Sequence, residues 1–207
     1  TEMGSNTTCL CGVTNCIMLQ KMSEDYKHKI PLVGFAGLKQ SGKTTSAKAL
    51  KHHGYRIYSF ADPIRKLCRA LGITKKYYNK DKDAPIPHLG KKSARYIMQT
   101  IGTDWARDMV SQTIWLDMME KRLVDAVQKK FLICIDDVRF DNEARLIKSF
   151  NGVVIKIVRG DTQSDTHKSE AGVSDDLIDV NIENTGSVTR LSDTLGEYIN
   201  ERSLLLR

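Results

Sequence analysis

The stretch Gly37-Leu38-Lys39-Gln40-Ser41-Gly42-Lys43-Thr44 constrains this chain more than any other, because it sits between an apolar run at 30–33 and a helix-forming run at 46–52. The spacing Gly-x-x-x-x-Gly-Lys-Thr between a strand and a helix is that of a phosphate-binding loop, and each fixed position has its own physical task. Gly37 and Gly42 can turn with positive φ and approach an anion without a Cβ in the way. Main-chain N–H groups from 39 to 45, including those of Lys39, Ser41 and Thr45, then converge on one anion, aided by the positive end of the following helix. Lys43 adds a mobile ammonium for terminal phosphates, and Thr44 a hydroxyl suited to Mg²⁺.

The remaining pattern extends this start into an α/β fold. A helix is expected from the loop to Gly54, a second strand over 55–60, and a helix opening at Ala61-Asp62-Pro63 and ending at Gly72. In that helix Ile64, Leu67, Cys68 and Leu71 form the expected buried stripe, while Arg65 and Arg69 share another face. Residues 73–92 turn polar and basic, with Pro85 and Pro87, and read either as a mobile flap or substrate-covering insertion or as a solvated loop with no role. Helical character resumes at Ser93 and breaks at Gly102. Asp104 then caps a second run carrying Trp105, Met109, Trp115, Met118, Leu123 and Val127, most of them expected in the core. Buried strands at 131–135 and 153–158, a helix at 142–150, a last strand at 179–184 and a C-terminal helix through Leu191, Leu195 and Ile199 complete the alternation. Such alternation specifies a P-loop-type parallel sheet with helices on both faces, and ligands collect at its carboxyl edge.

The 207 residues are read as one domain spanning 30–207, preceded by a disordered extension at 1–29 with the native start expected at Met22. No apolar run is long enough to span a membrane. A net charge of +7 favours an anionic partner, which nucleotide phosphates satisfy as well as nucleic acid does. Of the five cysteines, Cys68 and Cys134 are expected as buried thiols. Cys9, Cys11 and Cys16 lack an adjacent fourth ligand for zinc. The pattern fits a reducing, cytoplasmic setting, the host cytoplasm if the chain is phage-encoded.

Three clusters distinguish among the many users of such a loop. Ser59-Phe60-Ala61-Asp62-Pro63-Ile64-Arg65 places cations just past the second strand. Arg95-x-x-x-Gln99-x-x-Gly102-Thr103-Asp104-x-x-Arg107 sets two guanidiniums around an expected turn. Asp137-Val138-Arg139-Phe140-Asp141-Asn142-Glu143 sets a carboxylate, a guanidinium and a second carboxylate at the tip of a central strand. In combination, and with the late His167-Lys168-Ser169-Glu170, these blocks resemble the bacteriophage deoxynucleoside monophosphate kinases, over residues 31 to the end. One departure stands out: many members of that family carry Asp directly after the loop lysine, where this chain has Thr44 and then Thr45.

The resemblance implies an enzyme that moves the γ-phosphoryl group of ATP to a (deoxy)nucleoside 5′-monophosphate, supplying deoxynucleotides for phage DNA synthesis. ATP would rest on Gly37, Lys39, Ser41, Gly42, Lys43, Thr44 and Thr45, with Mg²⁺ on Thr44 or Thr45, or through water on Asp136 or Asp137. The acceptor would be held by Arg65, Arg69, Arg95, Gly102, Thr103, Asp137, Arg139 and Glu143, with Trp115 as an apolar or stacking wall. Lys43, Arg95, Arg107, Asp137 and Arg139 would carry catalysis, Arg95 and Arg107 by bridging acceptor and transferred phosphoryl. A homodimer, no membrane and no stable nucleic-acid binding are further implications. Asn184 and Gly186 are expected to border the adenine.

Such a transfer needs no general base, because a monophosphate already presents an ionised oxygen. Catalysis reduces to aligning two anions and neutralising their charge, which favours guanidinium forks. Two other readings compete: another small-molecule P-loop kinase of the dephospho-coenzyme A or phosphomevalonate type, and a nucleic-acid-dependent ATPase. The second lacks an aromatic-studded basic groove.

Overall fold

A computed structural model describes residues 30–79, 81–160 and 172–205. The extension at 1–29, with its three cysteines, and the 167–170 block lie outside the described residues. Five parallel strands form one sheet: β1 (Leu32–Ala36), β2 (Tyr55–Tyr58), β3 (Leu132–Ile135), β4 (Val153–Val158) and β5 (Val180–Glu183), in the spatial order β2-β3-β1-β4-β5. The helices are α1 (Lys43–Leu50), α2 (Asp62–Ala70), α3 (Lys75–Asn79), α4 (Ala94–Gln99), α5 (Ile114–Gln128), α6 (Asp141–Ser149) and α7 (Val188–Leu205). The expected P-loop-type α/β architecture is therefore what the chain adopts.

Strand alternation splits the core across the sheet, as expected when both faces are covered. Leu32, Ile133, Ile135 and Val154 pack on one face with Met119, Leu123, Ile147 and Phe150 from α5, α6 and the end of α6. Val33, Phe35, Cys134 and Ile155 pack on the other with Ala47, Leu50, Leu191, Leu195 and Ile199 from α1 and α7. Cys68 and Cys134 are free and buried. Because Gly34 lies opposite Ile135, the residues just beyond β3 come level with the end of β1, where the loop begins. That crevice lies beside β1, flanked by β3 and β4, at the carboxyl edge of the sheet.

Four expectations need correction. In α2, Cys68 is buried but Leu67 and Leu71 are exposed at 40% and 45%, because the helix docks on a narrow face through Ile64 and Cys68. Gly102 does not break the helix: α4 continues into a π-helix over Thr100–Val110, closed by Ser111 N–H donating to Ala106 O at 2.8 Å, and Asp104 caps nothing. Glycine there lets Ile64 approach closely, since a Cβ would sit 3.0 Å from Ile64 Cδ1. Trp105 and Met109 on the π-helix and Met118 on α5 are exposed, whereas Trp115 and Leu123 are buried.

The segment 73–92 is not an irregular loop. It folds into α3 and a 3₁₀ turn at Pro87–Leu89, and buries Ile73, Tyr78 and Ile86 against Cys68 and Ala94 in a third small core. Each such fully buried aliphatic side chain contributes roughly 1.5–3 kcal/mol.

Candidate active site

The loop folds as its glycines require. Gly37 has φ 129° and a Cβ there would meet Ile157 O at 2.4 Å; Gly42 has φ 114° and a Cβ would meet Asn184 Nδ2 at 2.5 Å. That same Nδ2 donates to Ser41 O at 2.8 Å, so Asn184, just past β5, buttresses the loop from below. Ser41 is buried and serves the loop through its main chain, while Lys39 and Thr44 are exposed. The ammonium of Lys43 folds back on Gly37 O and Leu38 O, at 2.7 and 2.6 Å.

Directly across lies the end of β3. Thr44 Oγ1 donates to Asp136 Oδ2 at 3.3 Å, and Asp136 Oδ1 is buried with no hydrogen-bond partner among the described residues. Burial and the neighbouring Asp137 raise the Asp136 pKa against the opposing pull of Arg65 and the Thr44 hydroxyl. A buried carboxylate oxygen without a donor, beside a hydroxyl, is a hard-oxygen donor set that suits Mg²⁺. Thr44 and Asp136, rather than Thr45 and Asp137, make this pair.

Asp137 points the other way. Its two oxygens accept from the Ser59 hydroxyl, from Phe60 N at 2.8 Å and from Ala61 N at 3.0 Å, tying the end of β3 to the corner between β2 and α2. Arg65 joins that corner through Ser59 Oγ (2.9 Å) and Asp62 Oδ1 (3.2 Å). Arg122, which stacks on Tyr58 at 4.3 Å, closes it by donating to Asp62 Oδ2 at 2.9 Å and Ser59 O at 3.2 Å.

Beyond Asp137 the chain turns into α6 around Glu143, whose side chain is 3% exposed. Its Oε2 accepts from Arg139 N (2.8 Å) and Phe140 N (3.2 Å), and its Oε1 from Arg107 at 3.3 Å. Arg107 in turn lies 4.3 Å over the Phe140 ring. Burial pushes the Glu143 pKa up to about 7, the backbone amides and Arg107 pulling down and Asp137 pushing further up.

The remaining cations come from separate segments. Arg95 on α4 grips Asp83 with a two-pronged fork, Nε to Oδ1 at 2.5 Å and Nη2 to Oδ2 at 3.1 Å. Burial first, and then the charges of Arg95, Arg65, Arg139 and the loop's Lys39, lower the Lys82 pKa. Among the expected acceptor residues, Arg65 is tied through Ser59 to Asp137 at the end of β3, and Arg139 follows two residues further on. Arg69 lies exposed one turn further along α2, and Gly102 is buried in the π-helix rather than in a turn, with Thr103 half-buried beside it.

Trp115 as a stacking wall is corrected. The ring is 5% exposed and its Nε1 donates to Gly102 O at 2.9 Å, so it offers no open face and instead locks the π-helix to α5. Asp83 and Arg122 escaped the sequence reading: the first sits in a stretch without periodicity, and the second meets Asp62 across 60 residues of chain.

Comparison with known proteins completes the picture. The deoxynucleotide monophosphate kinase family matches residues 78–195. A protein of Acanthamoeba polyphaga mimivirus named for that activity is 36% identical over 154 residues, spanning 67% of this chain and 80% of the relative. The deoxynucleotide monophosphate kinase of Escherichia phage RB69 is 30% identical over 101 residues, 48% of this chain but only 41% of the phage protein. Among solved structures, a dephospho-CoA kinase from Campylobacter jejuni matches 84% of this chain and 97% of its own with a TM-score of 0.50 at 16% identity, a likeness of fold.

Proposed function

The chain belongs to the deoxynucleotide monophosphate kinase family, and from that premise we propose that it transfers the γ-phosphoryl group of ATP to the phosphate of a deoxynucleoside 5′-monophosphate. The observation that carries this reading is the bonded path from the phosphate loop across the end of β3, Thr44 to Asp136 and then Asp137 through Ser59 to Arg65, which sets a guanidinium beside the loop. A hydrolase has no need of a second anion site; a kinase acting on a phosphorylated acceptor does.

The residues divide the work. Main-chain amides of the loop hold the donor phosphates, and the Lys43 ammonium exchanges its hold on Gly37 O and Leu38 O for the β and γ oxygens. Thr44 and Asp136 would hold Mg²⁺, which when bound neutralises charge on the donor phosphates. Arg65, Arg95 and Arg139 orient the acceptor phosphate in line and offset the repulsion between the two anions. Arg107 and Glu143 support Arg139 from behind, and Asp137 fixes the corner that carries Arg65. Closure of 73–92 over the site would keep water from the transferred group.

Two accompanying proposals have weaker supports. A homodimer is supported by Trp105, Met109 and Val110, which lie exposed on one face of the π-helix. Residence in the host cytoplasm is supported by free, buried thiols and by the fact that no helix among the described residues is long and apolar enough to cross a membrane. A dephospho-CoA kinase-type acceptor gains nothing from a likeness of fold at 16% identity.

A coupled assay over the four deoxynucleoside monophosphates with ATP and Mg²⁺ tests the reading. Nucleoside diphosphate formation from at least one acceptor is expected; ATP hydrolysis stimulated by DNA, with no monophosphate turned over, would reverse it.

A further inference from the structure

Arg122 is a cation to which the proposed reaction assigns no task. It sits half-buried on α5 beside the core residues Met119 and Leu123, and the carboxylate one turn along its own helix, Asp125, is taken by Lys129 at 2.8 Å. The Arg122 guanidinium instead leaves the helix for the corner between β2 and α2. There it lies 4.3 Å over the Tyr58 ring and donates to Ser59 O at 3.2 Å and to Asp62 Oδ2 at 2.9 Å. Asp62 is thereby shared between two arginines, since its Oδ1 accepts from Arg65 Nη1 at 3.2 Å, while Oδ2 also accepts from Ser59 N at 3.2 Å.

That sharing governs how much of Arg65 is left for a ligand. Both of its bonds, to Ser59 Oγ at 2.9 Å and to Asp62 Oδ1, leave from the single nitrogen Nη1. The edge formed by Nε and Nη2, whose N–H groups run parallel and fit a pair of phosphate or carboxylate oxygens, donates to no described residue. Without a second cation, Asp62 would draw that edge to itself, because a two-pronged pairing is stronger than the single contact it makes. Arg95 and Asp83 form such a pairing through Nε and Nη2 in this same chain. Asp137, in the same corner, accepts from the Ser59 hydroxyl and two main-chain amides and draws on neither arginine.

Resting on the kinase reading above, we infer that Arg122 is a positioning residue for the acceptor phosphate: by holding and neutralising Asp62 it keeps the Nε and Nη2 edge of Arg65 open for that phosphate. Arg122 itself touches no ligand. A strut joining α5 to the corner needs only a side chain that packs on Tyr58, whereas this role needs the positive charge.

The test compares R122M, R122K, the double variant R122M/D62N and, as a control, K129M, which breaks an exposed pair on the same helix. In R122M the guanidinium of Arg65 closes on Asp62, and losing its charge-assisted contact predicts a rise of about ten- to hundredfold in acceptor KM, with the KM for ATP within about twofold. R122K keeps the charge and should stay within about fivefold of wild type, and K129M should match wild type. Removing the carboxylate charge as well, in R122M/D62N, releases Arg65 and should bring acceptor KM back to within about fivefold of wild type. A mere strut predicts the reverse order, with the double variant worst because both ends of the contact are gone. An acceptor KM in R122M within about twofold of wild type overturns the proposal, as does a double variant no better than R122M or an R122K as impaired as R122M. Should R122M fail to fold, R122K decides by the same fivefold limit. A wild type that turns over no monophosphate defeats the kinase reading separately. Inorganic phosphate, titrated by calorimetry onto the chain loaded with a non-hydrolysable ATP analogue, then decides on Arg122. Binding weakened about tenfold or more in R122M and recovered in the double variant supports the role, and any other pattern refutes it.

Discussion

The two halves of the site are built on opposite plans. The donor half is a single run of eight residues whose anion-binding groups are main-chain amides, shaped by two positive-φ glycines and braced by Asn184. The acceptor half, as proposed, is assembled from α2, α4 and the turn after β3, and its binding groups are the long side chains of Arg65, Arg95 and Arg139. A contiguous backbone cradle tolerates little sequence change and keeps one geometry. A cradle of side chains can be retuned one residue at a time, but needs a buried scaffold to hold it. Asp137, Asp62, Arg122 and Glu143 are that scaffold, bonding the segments to each other beneath the arginines.

Substitutions can break the comparison, and they are ordered here by the size of effect. K43A strikes the donor half, where one charge serves the transition state directly, and should cut turnover at least about a thousandfold with the Tm little changed. Steady-state kinetics beside a melting curve checks this; retained turnover would remove the loop from catalysis.

Glu143 tests the scaffold of the acceptor half through pH. Its folded pKa of about 7 stands above the ordinary 4.5, so the folded state holds the proton more tightly than the unfolded one. Stability from this group is therefore present below about 4.5 and is lost as pH rises through about 7. E143Q does not titrate, so its stability relative to wild type should rise by on the order of 3 kcal/mol between pH 4 and pH 8. Urea midpoints at the two ends read the gap, and a gap that stays flat would mean that Glu143 is not buried as described.

R139A should lose about thirtyfold in acceptor kcat/KM while ATP binding, followed by titration, changes by less than about twofold. Equal losses for both substrates would erase the division into halves. The smallest effect is expected from N184A, which removes a hydrogen bond under the loop and should weaken ATP binding by about 1 kcal/mol without altering acceptor KM.

The contrast between the halves also explains what was legible in the sequence. Gly37, Gly42, Lys43 and Thr44 were readable because their spacing alone defines the loop, and the sheet because its strands are apolar on both faces. The acceptor arginines stood out only as clusters, and their acceptor role came from family resemblance, since nothing local in Arg65, Arg95 or Arg139 names a ligand. Gly102 misled because glycine usually signals a break, whereas here it permits contact with Ile64 inside a continuous helix. Trp115 misled because an aromatic near a site serves stacking and packing equally well until its N–H partner is seen.

Binding of a bisubstrate ligand, two nucleosides joined through five phosphates, tests most directly whether the amide cradle and the guanidinium forks face one another. Across a panel of acceptor bases, calorimetry should find one ligand per chain, bound at least about a hundredfold more tightly than ATP alone, with the gain lost in R139A. Affinity no better than that of ATP for every member of the panel would contradict the side-by-side arrangement of the two anions.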